Sequence, residues 1–154
     1  QGRTKRCLQP HRLLSLWRGE QMGENKVIID SNIFVAVFLS EDALHNRATQ
    51  IVSQLKKQDT LFYTINLVLQ ESATVLSMRK GMTSARTFYA AVHDFIDQTV
   101  PFDDSVEKES WKKFLSQTKK GTSFVDCAIL ATARHYKIDK IFSFDRFYPK
   151  EFLV

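Results

Sequence analysis

Four short apolar runs, each followed by polar or acidic residues and separated by longer stretches of helical spacing, constrain this chain more than any other feature. Val27-Ile28-Ile29 passes directly into Asp30-Ser31-Asn32, as a strand buried on both faces passes into a helix cap. Residues 60–65 read as a second strand and 140–144 as a fourth. Residues 99–102 read as a short third strand, placed at a sheet edge because Pro101 cannot donate to a ladder. Between them the spacing predicts helices. One covers 33–39, and a second carries Leu44, Ala48, Ile51, Val52 and Leu55, with Lys56 and Lys57 suiting the negative end of its dipole. A third covers 66–78 with Asn66 as its cap, and a fourth starts at Thr83-Ser84 with an apolar stripe of Phe88, Tyr89, Val92, Phe95 and Ile96. A fifth is capped by Ser105 and carries Val106, Phe114 and Leu115, with Trp111 on its flank; a sixth covers 123–135. Strands alternating with helices predict an α/β fold, a central parallel sheet flanked by helices in three layers.

Four acids then draw attention. Asp30, Glu71, Asp126 and Asp145 are expected near strand-to-helix transitions, which gather at the carboxyl edge of a parallel sheet, where ligands bind. Several mutually repelling carboxylates in one cleft call for a cation. Each acid also has a plainer explanation. Asp30 is a ready N-cap, although Ser31 or Asn32 can fill that role instead. Glu71 alone is an ordinary solvated helix residue. Asp126 stands three residues after Ser123, a capping-box spacing, and a carboxylate there also faces the strand edge. Asp145 suits an Asx-turn or an ion pair with Arg146.

Composition narrows the remaining classes. At 154 residues with 44% apolar and 25% charged residues, the chain suits one soluble domain, read as residues 22–154. No apolar run approaches the roughly 20 residues that span a bilayer, so no membrane partner is expected. Cys7 and Cys127 have neither metal-ligand nor disulfide spacing, which favours a reducing cytoplasm and a packed Cys127. The net charge of +5 is uneven: Arg3, Lys5, Arg6, Arg12 and Arg18 stand against Glu20 alone within residues 1–21. That segment reads as an N-terminal extension without a secretory core, an upstream addition, a transit peptide or a short docking arm. The aromatic stripe around Phe88 is better explained by packing than by base stacking.

Together, Val27-Ile28-Ile29-Asp30-Ser31-Asn32, Glu71 within Asn66-Leu67-Val68-Leu69-Gln70-Glu71-Ser72-Ala73, Ser123-Phe124-Val125-Asp126-Cys127-Ala128, and Ile141-Phe142-Ser143-Phe144-Asp145-Arg146-Phe147 resemble the PIN domain superfamily, and within it the VapC-like toxin ribonucleases. The resemblance spans about Val27 to Phe147. It implies a metal-dependent endoribonuclease in which Asp30, Glu71, Asp126 and Asp145 surround one or two Mg²⁺ or Mn²⁺ ions, with Ser143 and Asn32 in support. Oxygen-only ligands agree with a hard cation. The implied partners are an RNA substrate and a small antitoxin, and the helix with Phe88, Tyr89 and Val92 is a candidate dimer or antitoxin surface, with core packing the simpler account. Lys119, Lys120 and Arg146 are the best-placed phosphate contacts, and Arg79 and Lys80 rank below them. The alternatives are a housekeeping RNA-processing nuclease and a catalytically idle RNA- or protein-binding module of the same fold. A haloacid-dehalogenase-type phosphatase falls behind because Asn32 stands where a second Asp is needed, and a receiver domain because its phosphoacceptor and lysine find no place.

Overall fold

The computed structural model describes residues 25–118 and 120–154. The extension read at residues 1–21 and the phosphate contact read at Lys119 lie outside the described residues. Four strands, β1 (Lys26–Ile29), β2 (Leu61–Ile65), β3 (Gln98–Val100) and β4 (Lys140–Phe142), form one sheet in the order β3-β2-β1-β4, parallel throughout. Six helices connect them: α1 (Ser31–Phe38), α2 (His45–Lys57), α3 (Asn66–Lys80), α4 (Met82–Phe95), α5 (Asp104–Leu115) and α6 (Phe124–His135).

The apolar run in β1 explains the centre of this sheet. Val27, Ile28 and Ile29 are all buried because β1 is paired on both edges, with β2 on one side and β4 on the other. The steps from β1 to β2 to β3 run one way along the sheet, and the long step from β3 to β4 runs back past β1. Right-handed crossovers then lay α1–α4 over one face and α5 and α6 over the other. Packing agrees, since α1 packs on α2 and α3, α3 on α4, and α5 on α6. The order reverses at β1, so the crevice between the carboxyl ends of β1 and β4 is the topological switch point, where open α/β sheets bind ligands.

One layer is built largely from aromatics. Phe34 of α1 meets Phe88 of α4 edge-on at 5.6 Å, Phe38 meets Phe88 at 5.0 Å, and Phe95 closes the cluster onto Phe62 of β2. Burying each such ring is worth about 1.5–3 kcal/mol. The stripe on α4 is therefore core at Phe88 and Val92, but Tyr89 is 72% exposed and faces away. Gly81 joins α3 to α4 at φ +82°, a conformation that L side chains rarely adopt.

Several local expectations change. Asn66 is the first residue of α3 and gives no side-chain cap, and α3 runs on to Lys80. The cap of α5 is Asp103, whose Oδ1 accepts the N–H groups of Ser105 and Val106 at 3.0 Å, because an acid two residues earlier reaches both donors. Leu115 of α5 is exposed. The third strand lies at the edge as expected but covers Gln98–Val100, ending before Pro101. Beyond β4 the chain turns back: Ile141 N–H donates to Phe152 O at 2.6 Å, and Val154 N–H to Ile141 O at 3.2 Å. This return covers the outer edge of β4 and packs Tyr148 into the core.

Candidate functional site

Asp30 ends β1 at the switch point, 2% exposed. It caps α1, the plainer of the two roles open to it, and neither Ser31 nor Asn32 takes that place: its Oδ1 accepts Ser31 N–H at 2.6 Å. Its other oxygen faces the neighbouring strand. Oδ2 accepts Ser143 Oγ–H at 2.6 Å and Asn32 Nδ2–H at 2.9 Å. Ser143 follows β4, and its hydroxyl oxygen accepts Asn32 Nδ2–H and Asp145 N–H, each at 2.9 Å. Asn32 Oδ1 in turn accepts Phe144 N–H at 3.2 Å. The Asn32 and Ser143 side chains thus lock the ends of β1 and β4 together around one carboxylate.

Asp126 is held from the opposite face. Its Oδ2 accepts Ser123 N–H at 2.8 Å while Ser123 Oγ accepts Asp126 N–H at 3.0 Å, the reciprocal capping box. Capping occupies one carboxylate oxygen and leaves Oδ1 directed to the crevice. There the hydroxyl of Tyr148 lies 3.4 Å from Asp126 Oδ1 and 3.4 Å from Asp30 Oδ2. A phenol has one proton to donate, so it serves one of these carboxylates at a time.

Electrostatics tie the other two acids to this pair. Burial pushes the Asp30 carboxyl up to about 6, against the Ser143 hydrogen bond that lowers it, and the charges of Asp126 and Glu71 raise it further. Burial also raises Asp126, with the Asp145 charge adding to it and the Ser123 bonds opposing. Tyr148 is raised well above the ordinary phenol range by burial and by the charges of Asp30, Asp126 and Asp145. All four acids therefore share one field.

Their placement is less uniform than the sequence reading supposed. Glu71 is half-buried in the second turn of α3, where its place five residues after Asn66 puts it, whereas Asp126 lies in the first turn of a helix entered from a loop and not from a strand, because α6 is the second helix in the β3-to-β4 crossover. Asp145 is exposed and also makes the expected Asx-type contact, accepting Phe147 N–H at 2.9 Å. Lys120, six residues before Asp126, and Arg146, next to Asp145, are both exposed. Arg79 bonds Asp42 Oδ2 at 2.7 Å and Lys80 pairs with Glu41, so both are engaged by the α1–α2 connection. Cys127 is fully buried, as expected of a packed thiol.

Two residues near the site escaped the sequence reading. Tyr148 stood in an aromatic-rich tail with no chemical signal, and only its contacts 118 and 22 residues away in sequence reveal it. Arg47 of α2 lies over the ring of Phe144, 5.0 Å from its centroid, which brings a cation to the segment between Ser143 and Asp145. Arg47 had no distinguishing pattern.

The donor set is oxygen throughout. Among the described residues no three acidic, histidine or cysteine side chains form a ready-made metal cage. Oxygen donors are the kind a hard cation takes, and Mg²⁺ is usually held by one or two carboxylates with several waters kept. Two close carboxylates, one of them desolvated and raised by its neighbours, carry negative charge that a cation would relieve.

The PIN domain model matches residues 27–150. The chain belongs to the PIN domain family. Within the family, this PIN domain is 21% identical over 144 residues to Ribonuclease VapC6 of Methanocaldococcus jannaschii, an alignment covering 84% of this chain and 94% of that protein. The PIN fold also matches the crystal structure of Mycobacterium tuberculosis VapC20, a sarcin-ricin loop cleaving toxin, with a TM-score of 0.67 and 24% identity over 79% of this chain and 91% of that one. The expected three-layer α/β fold is the observed one.

Proposed function

We propose that this PIN domain is a metal-dependent endoribonuclease that hydrolyses RNA phosphodiester bonds, and that it is the toxin of a VapBC-type toxin–antitoxin pair. The observation that carries the reading is the pair Asp30 and Asp126, brought to the switch point from opposite faces of the sheet and joined by the Tyr148 hydroxyl. Family membership and likeness to a VapC ribonuclease along nearly its whole length support the substrate class.

Asp30, Asp126, Glu71 and Asp145 would hold Mg²⁺ or Mn²⁺. Such an ion supplies an activated water and neutralises charge on the phosphodiester and the departing oxygen. The chain's part is to fix the ligands. Ser143 and Asn32 orient Asp30 Oδ2, and the Ser123 box orients Asp126, so that neither carboxylate rotates away when the substrate's charge arrives. Arg47, Lys120 and Arg146 offer phosphate contacts at the rim. The antitoxin would be a small protein covering the acidic crevice in the cytoplasm.

The test is cleavage of a mixed structured-RNA pool by purified protein with Mg²⁺ or Mn²⁺, with EDTA, and with an Asp30→Asn/Asp126→Asn variant prepared in parallel. Metal-dependent cleavage lost in the variant is the expected result. Cleavage that survives in the variant assigns the activity elsewhere. No cleavage in any sample, with no metal binding by calorimetry, makes the protein an idle binding module.

A further inference from the structure

A hollow also opens away from the carboxylates. It is a groove of about 510 Å³ between α5 and α6, lined by Val106, Lys112, Lys113, Leu130, Arg134 and His135 among others. Val106 and Leu130 are buried and give it an apolar floor, and the cations form its rim. We propose that this groove is a second nucleic-acid subsite, which holds nucleotides of the RNA strand adjoining the bond presented to Asp30 and Asp126. The inference rests on the nuclease reading above and extends it to how the strand is held.

Three observations support it. Asp126, Leu130 and Arg134 are spaced by four residues along α6, so they follow one face of the helix from the carboxylate site into the groove. Asp126 and Arg134 are about 12 Å apart along the axis, a length that a few nucleotides cover. Lys113 of α5 and Arg134 of α6 line the groove from its two walls, so a cation faces the groove from each helix.

The third observation is charge that remains available. Lys112 approaches Glu109 only at 4.0 Å, with both side chains mostly exposed, a contact worth little. Among the described residues neither Lys113 nor Arg134 has an ion-pair partner. Separated cations over an apolar floor match a phosphate backbone with its bases laid inward, the arrangement by which single strands are held without sequence readout. A single small anion would use one cation and leave the floor empty. A strand uses both.

Binding of a fluorescein-labelled single-stranded RNA to the full chain in EDTA, read by anisotropy across a salt series, tests this. In the Lys112→Gln/Lys113→Gln/Arg134→Gln variant, affinity should fall at least about tenfold at low salt, and the slope of log K against log salt should shrink by about 2, roughly 0.7 for each of three lost contacts. In parallel, RNA carrying 4-thiouridine is photo-crosslinked to the unaltered protein, which needs no variant to fold, and peptides from α5 and α6 should carry the adducts. Unchanged slope and affinity in a folded variant, or crosslinks confined to other elements, overturns the groove. If the unaltered protein cleaves RNA with metal while the groove fails both tests, the nuclease reading stands alone. If it neither cleaves nor binds RNA, the nuclease reading fails and takes this inference with it. Capture of an acidic protein by the groove, lost in the variant while RNA binding persists, assigns the surface to a protein partner and also overturns the proposal.

Discussion

Asp30 is buried at a cost that shows in its acid–base behaviour, and this makes it the most testable residue. Its folded carboxyl titrates near 6 against an ordinary 3.8. A carboxyl raised on folding contributes stability that is complete below the ordinary value and is lost as pH rises through the folded one. In metal-free protein, Asp30→Asn should therefore gain stability relative to the unaltered chain between pH 4 and pH 7, by about 3 kcal/mol in all. Denaturant titrations at pH 4 and pH 7 check this, and a constant difference would contradict it. Tyr148→Phe keeps the packed ring and removes the shared hydroxyl. Loss of a group that orients metal-binding carboxylates typically costs ten- to a hundredfold, so Mn²⁺ affinity should drop by about tenfold in calorimetry with little change in melting temperature. The two residues differ in how far the sequence announced them. A charge placed directly after Val27-Ile28-Ile29 marked Asp30, whereas Tyr148 is one aromatic among several in its tail.

Among the elements, α6 carries both a structural and a functional duty in one turn. The Ser123–Asp126 box satisfies two N–H groups and also aims Asp126 Oδ1 at the crevice. Ser123→Ala should cost about 1 kcal/mol in thermal unfolding and lower metal-dependent cleavage more than that loss explains, because Asp126 is then free to turn. Ser123→Asp, which preserves a capping oxygen, should recover most of the stability. The spacing of Ser123 and Asp126 made the box legible in advance, since capping depends on residues within one turn. Caps elsewhere were harder to place. Asp103 displaced Ser105, and at α1 Asp30, Ser31 and Asn32 were all open to the role, because several good capping residues stood side by side and only the chain's path selects among them.

At the scale of the whole molecule, the site is the meeting of two sheet ends with one helix start, so a bound ion should tie the layers together. At pH 7.5, Mn²⁺ at about 100 times its Kd should stabilise the protein by about 2.7 kcal/mol, and the gain should shrink toward pH 5 as Asp30 takes up a proton. Thermal melts with Mn²⁺ and with EDTA at both pH values measure it. The Asp30→Asn variant should show little of the effect. The sequence by itself determined the four strands, their alternation with helices, the buried thiol at Cys127 and the acids around which the site is drawn, because these follow from short-range periodicity and from charges set against apolar runs. Only the tertiary structure decided the strand order that puts β4 beside β1, the folding back of the tail that inserts Tyr148 between two carboxylates, and the groove between α5 and α6. Those features depend on contacts between residues far apart in the chain, and no local pattern encodes which distant partner a strand or a side chain will meet.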